Sequence, residues 1–177
     1  MGSFAEPLAL VVVYLACAWL GLAHASLFGQ VSPVDLCAGV ALAGLFRQGP
    51  SRWPALFVAS LLVQRLAGTP TAGAVLLLAT GHTLEALLGI WLLERLDFLP
   101  ALQRVRDVLA LALVALVAPG VGVLAHALLA TPGGALGSQH VTVAAWGSGL
   151  SHGLGMLVVG AGCLRISSLR GASVRAR

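Results

Sequence analysis

The chain has 177 residues, 59% of them hydrophobic and only 9% charged, with a mean hydropathy of +0.98 and a formal net charge of +4. Soluble domains carry roughly 25% charged residues, so this composition excludes an ordinary soluble catalytic domain and points to a membrane protein. The positive balance comes from ten arginines without a lysine, spread over loop ends and a tail. That distribution suits membrane orientation and anionic lipid headgroups, and it speaks against nucleic acid as a partner.

A bilayer core takes about 20 apolar residues per helix and tolerates no unpaired backbone. The apolar runs here are long and do not alternate, so the expected fold is all-α: a polytopic helical bundle of about six transmembrane helices forming one domain over residues 1–177. The first segment, near 8–28, follows Glu6 and Pro7, has no positively charged leader and exceeds a signal-peptide core, so it reads as a retained helix. The second, near 34–46, opens on Asp35, a carboxylate favoured by a helix N-terminus. It has about 13 apolar residues, and the third, near 53–67, has about 15. Both are short for full spans, which leaves tilted helices buried by neighbours or a re-entrant pair.

The fourth segment, near 72–93, contains "GHTLEALLGIWLLER", where His82 and Glu85 lie three apart on one helix face. Gly81, Glu85 and Gly89 form a row at four-residue spacing, and small residues on such a row let a neighbouring helix approach. Glu85 is therefore expected inside the bundle, protonated or held by a donor such as His82 or a histidine of another helix. The fifth segment, near 106–130, has Pro119 and Gly120 at mid-span, a bend signal, with His126 beyond it. The sixth, near 141–164, holds "WGSGLSHGLGML", in which Gly149 and Gly153, and Ser151 and Gly155, are small residues four apart around His152.

If all six segments cross, Arg65 alone falls on one side, and the other nine arginines, Arg47, Arg52, Arg95, Arg104, Arg106, Arg165, Arg170, Arg175 and Arg177, fall on the opposite side. Positive residues collect in the cytoplasm, so both termini are expected there. His24 and His140 then lie near the non-cytoplasmic ends.

Ionisable groups at bilayer depth usually pair with one another or do work. The candidate ligand or proton site is His82, Glu85 and His152, with Asp35 and His126 as secondary candidates and Gly81, Gly89, Gly149, Gly153 and Gly155 as packing positions. Two readings stay open: polar glue between helices, or a ligand or proton site. Paired histidines can be axial haem ligands, which leaves haem or metal through His82 and His152 as a lesser option. H-x-x-E alone has little specificity, so no cofactor and no metal is expected. Cys17, Cys37 and Cys163 form no C-x-x-C pair. The chain contains no nucleophile with an adjacent base and no phosphate-binding glycine loop, so no enzymatic activity is expected.

Several stretches are similar, in order, to one known family. "SPVDLCAGVALAGLF" resembles S-P-V-W-P-A-x-G-I-A-L-A, and "RWPALFVASLLV" resembles R-x-W-P-G-x-F-x-G-A-F. "GHTLEALLGIWLLERL" resembles G-N-x-L-E-A-x-x-G-x-x-L-L, and "FLPALQRVRDVLAL" resembles F-x-P-A-L-x-R-x-R-D-V. The family is the first-described branch of the membrane-associated sensor domains of bacterial signalling proteins, and the likeness is strongest from Val31 to Leu111. Asp35 stands at its tryptophan, His82 at its asparagine, His152 at the aspartate of its G-D-x-x-G motif and Ala161 at a later proline, whereas Glu85 is retained.

The resemblance implies a bacterial cytoplasmic membrane protein, and family members usually continue into a cytoplasmic output domain. The resemblance therefore implies a sensor-like module that binds a ligand or membrane partner and signals through another membrane or signalling protein. The alternatives are an accessory subunit of a larger membrane complex and, below that, a small-solute transport or substrate-binding subunit.

Overall fold

The computed structural model describes residues 5–28, 33–129 and 138–166, with side chains for all of these except 25–28 and 138–145. Among the described residues every regular element is helical. The order is α1 (Ala5–Phe28), α2 (Leu36–Gln48), a 3₁₀ turn (Pro50–Arg52), α3 (Trp53–Leu66), α4 (Ala72–Arg95), α5 (Val105–Val117), α6 (Pro119–Leu129) and α7 (Ser138–Gly155). A π-helical turn, Met156–Gly160, follows α7, and helix then continues to residue 166. Arg170, Arg175 and Arg177 lie outside the described residues, as does the side chain of His140.

Four stretches are long and apolar enough to cross a membrane: Ala5–His24, Ala72–Arg95, Val105–Leu129 and Trp146–Ile166. The helices α2 and α3 have 13 and 14 residues, which at about 1.5 Å per residue reach about 20 Å, short of a hydrocarbon core of about 30 Å. The brevity of α2 fits its surroundings, whereas α3 keeps an exposed face of Trp53, Val58, Leu62 and Leu66 and is not buried by its neighbours. In α2, Cys37 to Ala43 and Leu45 are all buried, because α1, α4, α7 and the π turn pack around it. A helix wrapped by longer helices meets little lipid and does not have to match the bilayer thickness. Outward positions on the long helices carry Trp19, Trp91, Leu116, Trp146 and Leu150, all exposed, the apolar rim that lipid requires.

Two expected segments differ in detail. The stretch read as one helix near 106–130 is broken at Ala118 into α5 and α6. Pro119 has no N–H for the carbonyl of Ala115, and that carbonyl lies against Gly153, where an added Cβ would collide with it. The stretch near 141–164 is also not uniform, since the π turn interrupts it just beyond His152. Such turns often sit beside functional residues.

The loop between α4 and α5 is held by Asp107, 1% exposed. It accepts from Leu99 N at 3.1 Å and from Arg104 Nη2 at 2.7 Å, while Arg104 Nη2 also donates to the Asp97 carbonyl at 2.9 Å. Asp97 and Leu102 adopt positive φ of 47° and 52°, conformations that non-glycine residues hold only when tied in place. Asp107→Asn weakens these ties at once. The expected outcome is faster amide hydrogen exchange at Leu99 and Arg104 with little change in α1, measured by mass spectrometry on the detergent-purified protein.

Candidate functional site

The polar centre is assembled from three helices. Asp35 is the N-cap of α2, its Oδ1 accepting from Cys37 N at 2.7 Å. Its backbone N–H donates to Ser151 O of α7 at 2.9 Å, so the start of α2 is stitched to α7. Its other oxygen, Oδ2, lies 3.1 Å from His152 Nε2, while His152 Nδ1 lies 2.9 Å from Glu85 Oε2 and 3.1 Å from Glu85 Oε1. One imidazole therefore bridges two carboxyl groups, in the order Asp35, His152, Glu85. Glu85 is 2% and His152 7% exposed.

Small residues make this convergence possible. An added Cβ at Gly155 would run into the Asp35 carbonyl, and one at Gly122 would come to 2.7 Å from Glu85 Oε2. Cβ atoms at Gly81, Gly89 and Gly149 would come to 2.8 Å from Ala125, 2.7 Å from Leu42 and 2.6 Å from Val123. These close approaches draw α2, α4, α6 and α7 together around Glu85 and His152, as small residues do between membrane helices.

His82 does not reach Glu85 by any hydrogen bond among the described residues, although the two share a helix face. Its Nδ1 faces Ser60 Oγ at 3.4 Å and Gln64 Nε2 at 3.5 Å on α3, and its ring packs edge-on against His152 with centroids 5.1 Å apart. The His82 Nε2 atom is buried without a hydrogen-bond partner among the described residues. His126 turns its Nδ1 to its own helix, donating to Gly122 O at 2.9 Å, and lies 6.3 Å from the His82 ring. It borders the centre without entering it.

His152 commits both ring nitrogens to carboxyl oxygens. Haem or metal ligation through His82 and His152 would have to break those contacts.

Two spaces adjoin the centre. A cavity of about 10 Å³ is lined by Tyr14, Asp35, His82, Glu85, His152 and Met156, with three alanines. A vestibule of about 310 Å³ extends from it, past Cys17, Leu22, Val34, Gln64, Ser148 and Ser151. The vestibule lies at the end of the bundle where α2 begins and α3 ends.

Tyr14, Ser60, Gln64 and Gly122 belong to this centre and were not singled out in the sequence. Ser60 and Gln64 did carry a signal, being polar residues four apart in an apolar run and thus on one face. Tyr14, the single tyrosine of the chain, sits in a run whose polarity gives no direction. The chain matches no known family model, no curated protein and no solved structure.

Proposed function

We propose that this chain is a multi-pass module of the bacterial cytoplasmic membrane, both termini on the cytoplasmic side, that binds a ligand at Asp35, His152 and Glu85 and passes its state to a partner protein. The observation that carries the reading is the gathering of two carboxyl groups and an imidazole from α2, α4 and α7 at the head of a vestibule. Apolar side chains would pack as well without the cost of burying ionisable groups. Signalling through a partner is suggested by the motif resemblance to membrane-associated sensor domains. In the arginine-based orientation the vestibule opens toward the non-cytoplasmic half of the bilayer, where a sensor meets external ligands. Residue 166, where the described helical run ends, and the arginine-bearing tail then lie on the cytoplasmic side, where an output partner would dock.

Two measurements test this reading. A cysteine placed in the tail, Arg175→Cys, is expected to resist a membrane-impermeant maleimide in intact cells and to react after lysis. Crosslinking in the native membrane is expected to capture a specific partner, and Glu85→Gln is expected to abolish the partner's response while the protein still inserts. Labelling of the tail from outside, or an inert monomer with no partner, rejects the reading.

A further inference from the structure

We infer that the ligand of this site is the proton, delivered from the vestibule through one bound water to Asp35, His152 and Glu85 and held there without onward passage. The inference rests on the site reading above and names its ligand.

The first argument is a proton inventory. A neutral imidazole carries one N–H, yet His152 presents both nitrogens to carboxyl oxygens, at 3.1 Å and 2.9 Å. Both contacts are hydrogen bonds only if the triad holds two protons: both on the ring, or one on the ring and one on a carboxyl group. Either arrangement leaves the same single negative charge. A proton can thus shift along the line from Asp35 to Glu85 without changing the charge buried there.

The second argument comes from His82. Gln64 Oε1 accepts from Thr69 Oγ1 at 3.0 Å, which directs the Gln64 amide nitrogen at His82 Nδ1. Nδ1 is then the acceptor, and the proton of a neutral His82 ring sits on Nε2, the buried atom without a partner among the described residues. The adjoining cavity of about 10 Å³ is near the room that one water needs, and it offers the several polar partners such a water requires. A water there accepts from His82 Nε2–H and donates to the carboxyl groups. It joins the vestibule to the triad.

The third argument is that the path ends. Beyond Glu85, in the direction of Arg95 along α4 and of Gln48 along α2, the core closes on Leu42, Leu45, Ile90, Leu93 and Val114, each 2% exposed or less. Among the described residues, no polar side chain in that layer carries a proton on. The site is loaded from one side only, which is the behaviour of a sensor and not of a channel.

Titratable groups facing the triad are Tyr14 and Cys17 of α1, Asp35 and Cys37 of α2, His82 and Glu85 of α4, His126 of α6 and His152 itself on α7. Helix α3 contributes the uncharged Ser60 and Gln64, and α5 contributes no titratable side chain among the described contacts. On acidification the added proton enters the triad at Asp35, the carboxyl group that lines the vestibule, while Glu85 lies behind it at 2% exposure. A neutral Asp35 loses the charge-assisted part of its bond to His152. The first turn of α2 then loosens from α7.

The test uses the full chain in liposomes, with the proton as probe, moving between roughly pH 8 and pH 4, a span that reaches the carboxylate range. Infrared difference spectra are expected to show protonation of a carboxyl group that disappears in Asp35→Asn. Asparagine caps a helix as well as aspartate does, so this variant keeps the fold. Amide exchange over residues 35–41, corrected for its intrinsic pH dependence, is expected to rise several-fold on acidification in the wild type and to stay constant in the variant. An imposed pH gradient is expected to decay no faster than in protein-free liposomes. A carboxyl band that persists in both Asp35→Asn and Glu85→Gln, the lack of any band, or accelerated gradient decay overturns the inference. If those two variants abolish the partner's response while no carboxyl group titrates, the proton falls as ligand and the site reading stands. If they change neither, both fall.

Discussion

Replacing His152 by alanine is expected to lower the unfolding free energy in mild detergent by about 3–5 kcal/mol, the cost of breaking a buried ion pair by removing one partner. The size of the loss decides between two accounts of the polar centre. Hydrogen bonds between membrane helices are worth about 1 kcal/mol, because the separated helices also find partners, and a centre that is merely polar glue would lose that much. Glu85, 2% exposed, loses its partner in the described structure when the imbridging imidazole is removed, and Asp35 loses its link to α7 apart from the backbone bond to Ser151. Glu85→Gln is expected to cost less, since an amide oxygen still accepts from His152 Nδ1 without leaving a charge exposed to the apolar core. A double-mutant cycle over Glu85→Gln and His152→Ala isolates the coupling between them. A loss near 1 kcal/mol for His152→Ala would show that the charges are not carried as the geometry indicates.

The second large effect is expected at Gly155. A side chain there meets the Asp35 carbonyl, which is backbone and cannot turn aside, so α2 and α7 must separate. Overpacking of this kind costs about 1–3 kcal/mol and more where backbone moves, and the separation also pulls Asp35 from His152. Gly155→Val is therefore expected to destabilise the protein strongly and to remove any response routed through the triad. The control lies two residues past the π segment, in the same helical run. An added Cβ at Gly162 meets nothing within 4 Å, so Gly162→Ala is expected to be neutral or to stabilise by up to about 1 kcal/mol through helix propensity. Thermal unfolding of the two variants side by side gives the comparison, and equal losses would contradict the packing described.

The two effects share one cause. The start of α2 is a short helix end placed inside the bundle, and its position depends on Gly155 for room and on His152 for charge. Asp35 illustrates how far sequence reasoning reaches. Its role as a helix cap follows from its position before an apolar run, and the bond to Cys37 N is that cap. Nothing local to "SPVDLC" reveals that the same carboxyl group also meets a histidine 117 positions later, at 3.1 Å. Glu85 is similar. The Gly81, Glu85, Gly89 row marks an inward face, but the nearest candidate donor in the chain, His82, turns to Ser60 and Gln64 instead, and the distant His152 takes the carboxylate.

By itself the sequence determined the helical, lipid-compatible character of the chain, the turns that punctuate it, the bend at Pro119 and the faces on which its few ionisable residues lie. These depend on composition and on a periodicity of 3.6 residues, which act over one or two helical turns. The tertiary structure alone decided that α2 is enclosed by its neighbours, that His152 and not His82 holds Glu85, and that a vestibule leads to them. Membrane helices present one another with broadly similar apolar surfaces, and their order is settled by many small packing differences summed over whole interfaces. No short stretch of residues carries that sum.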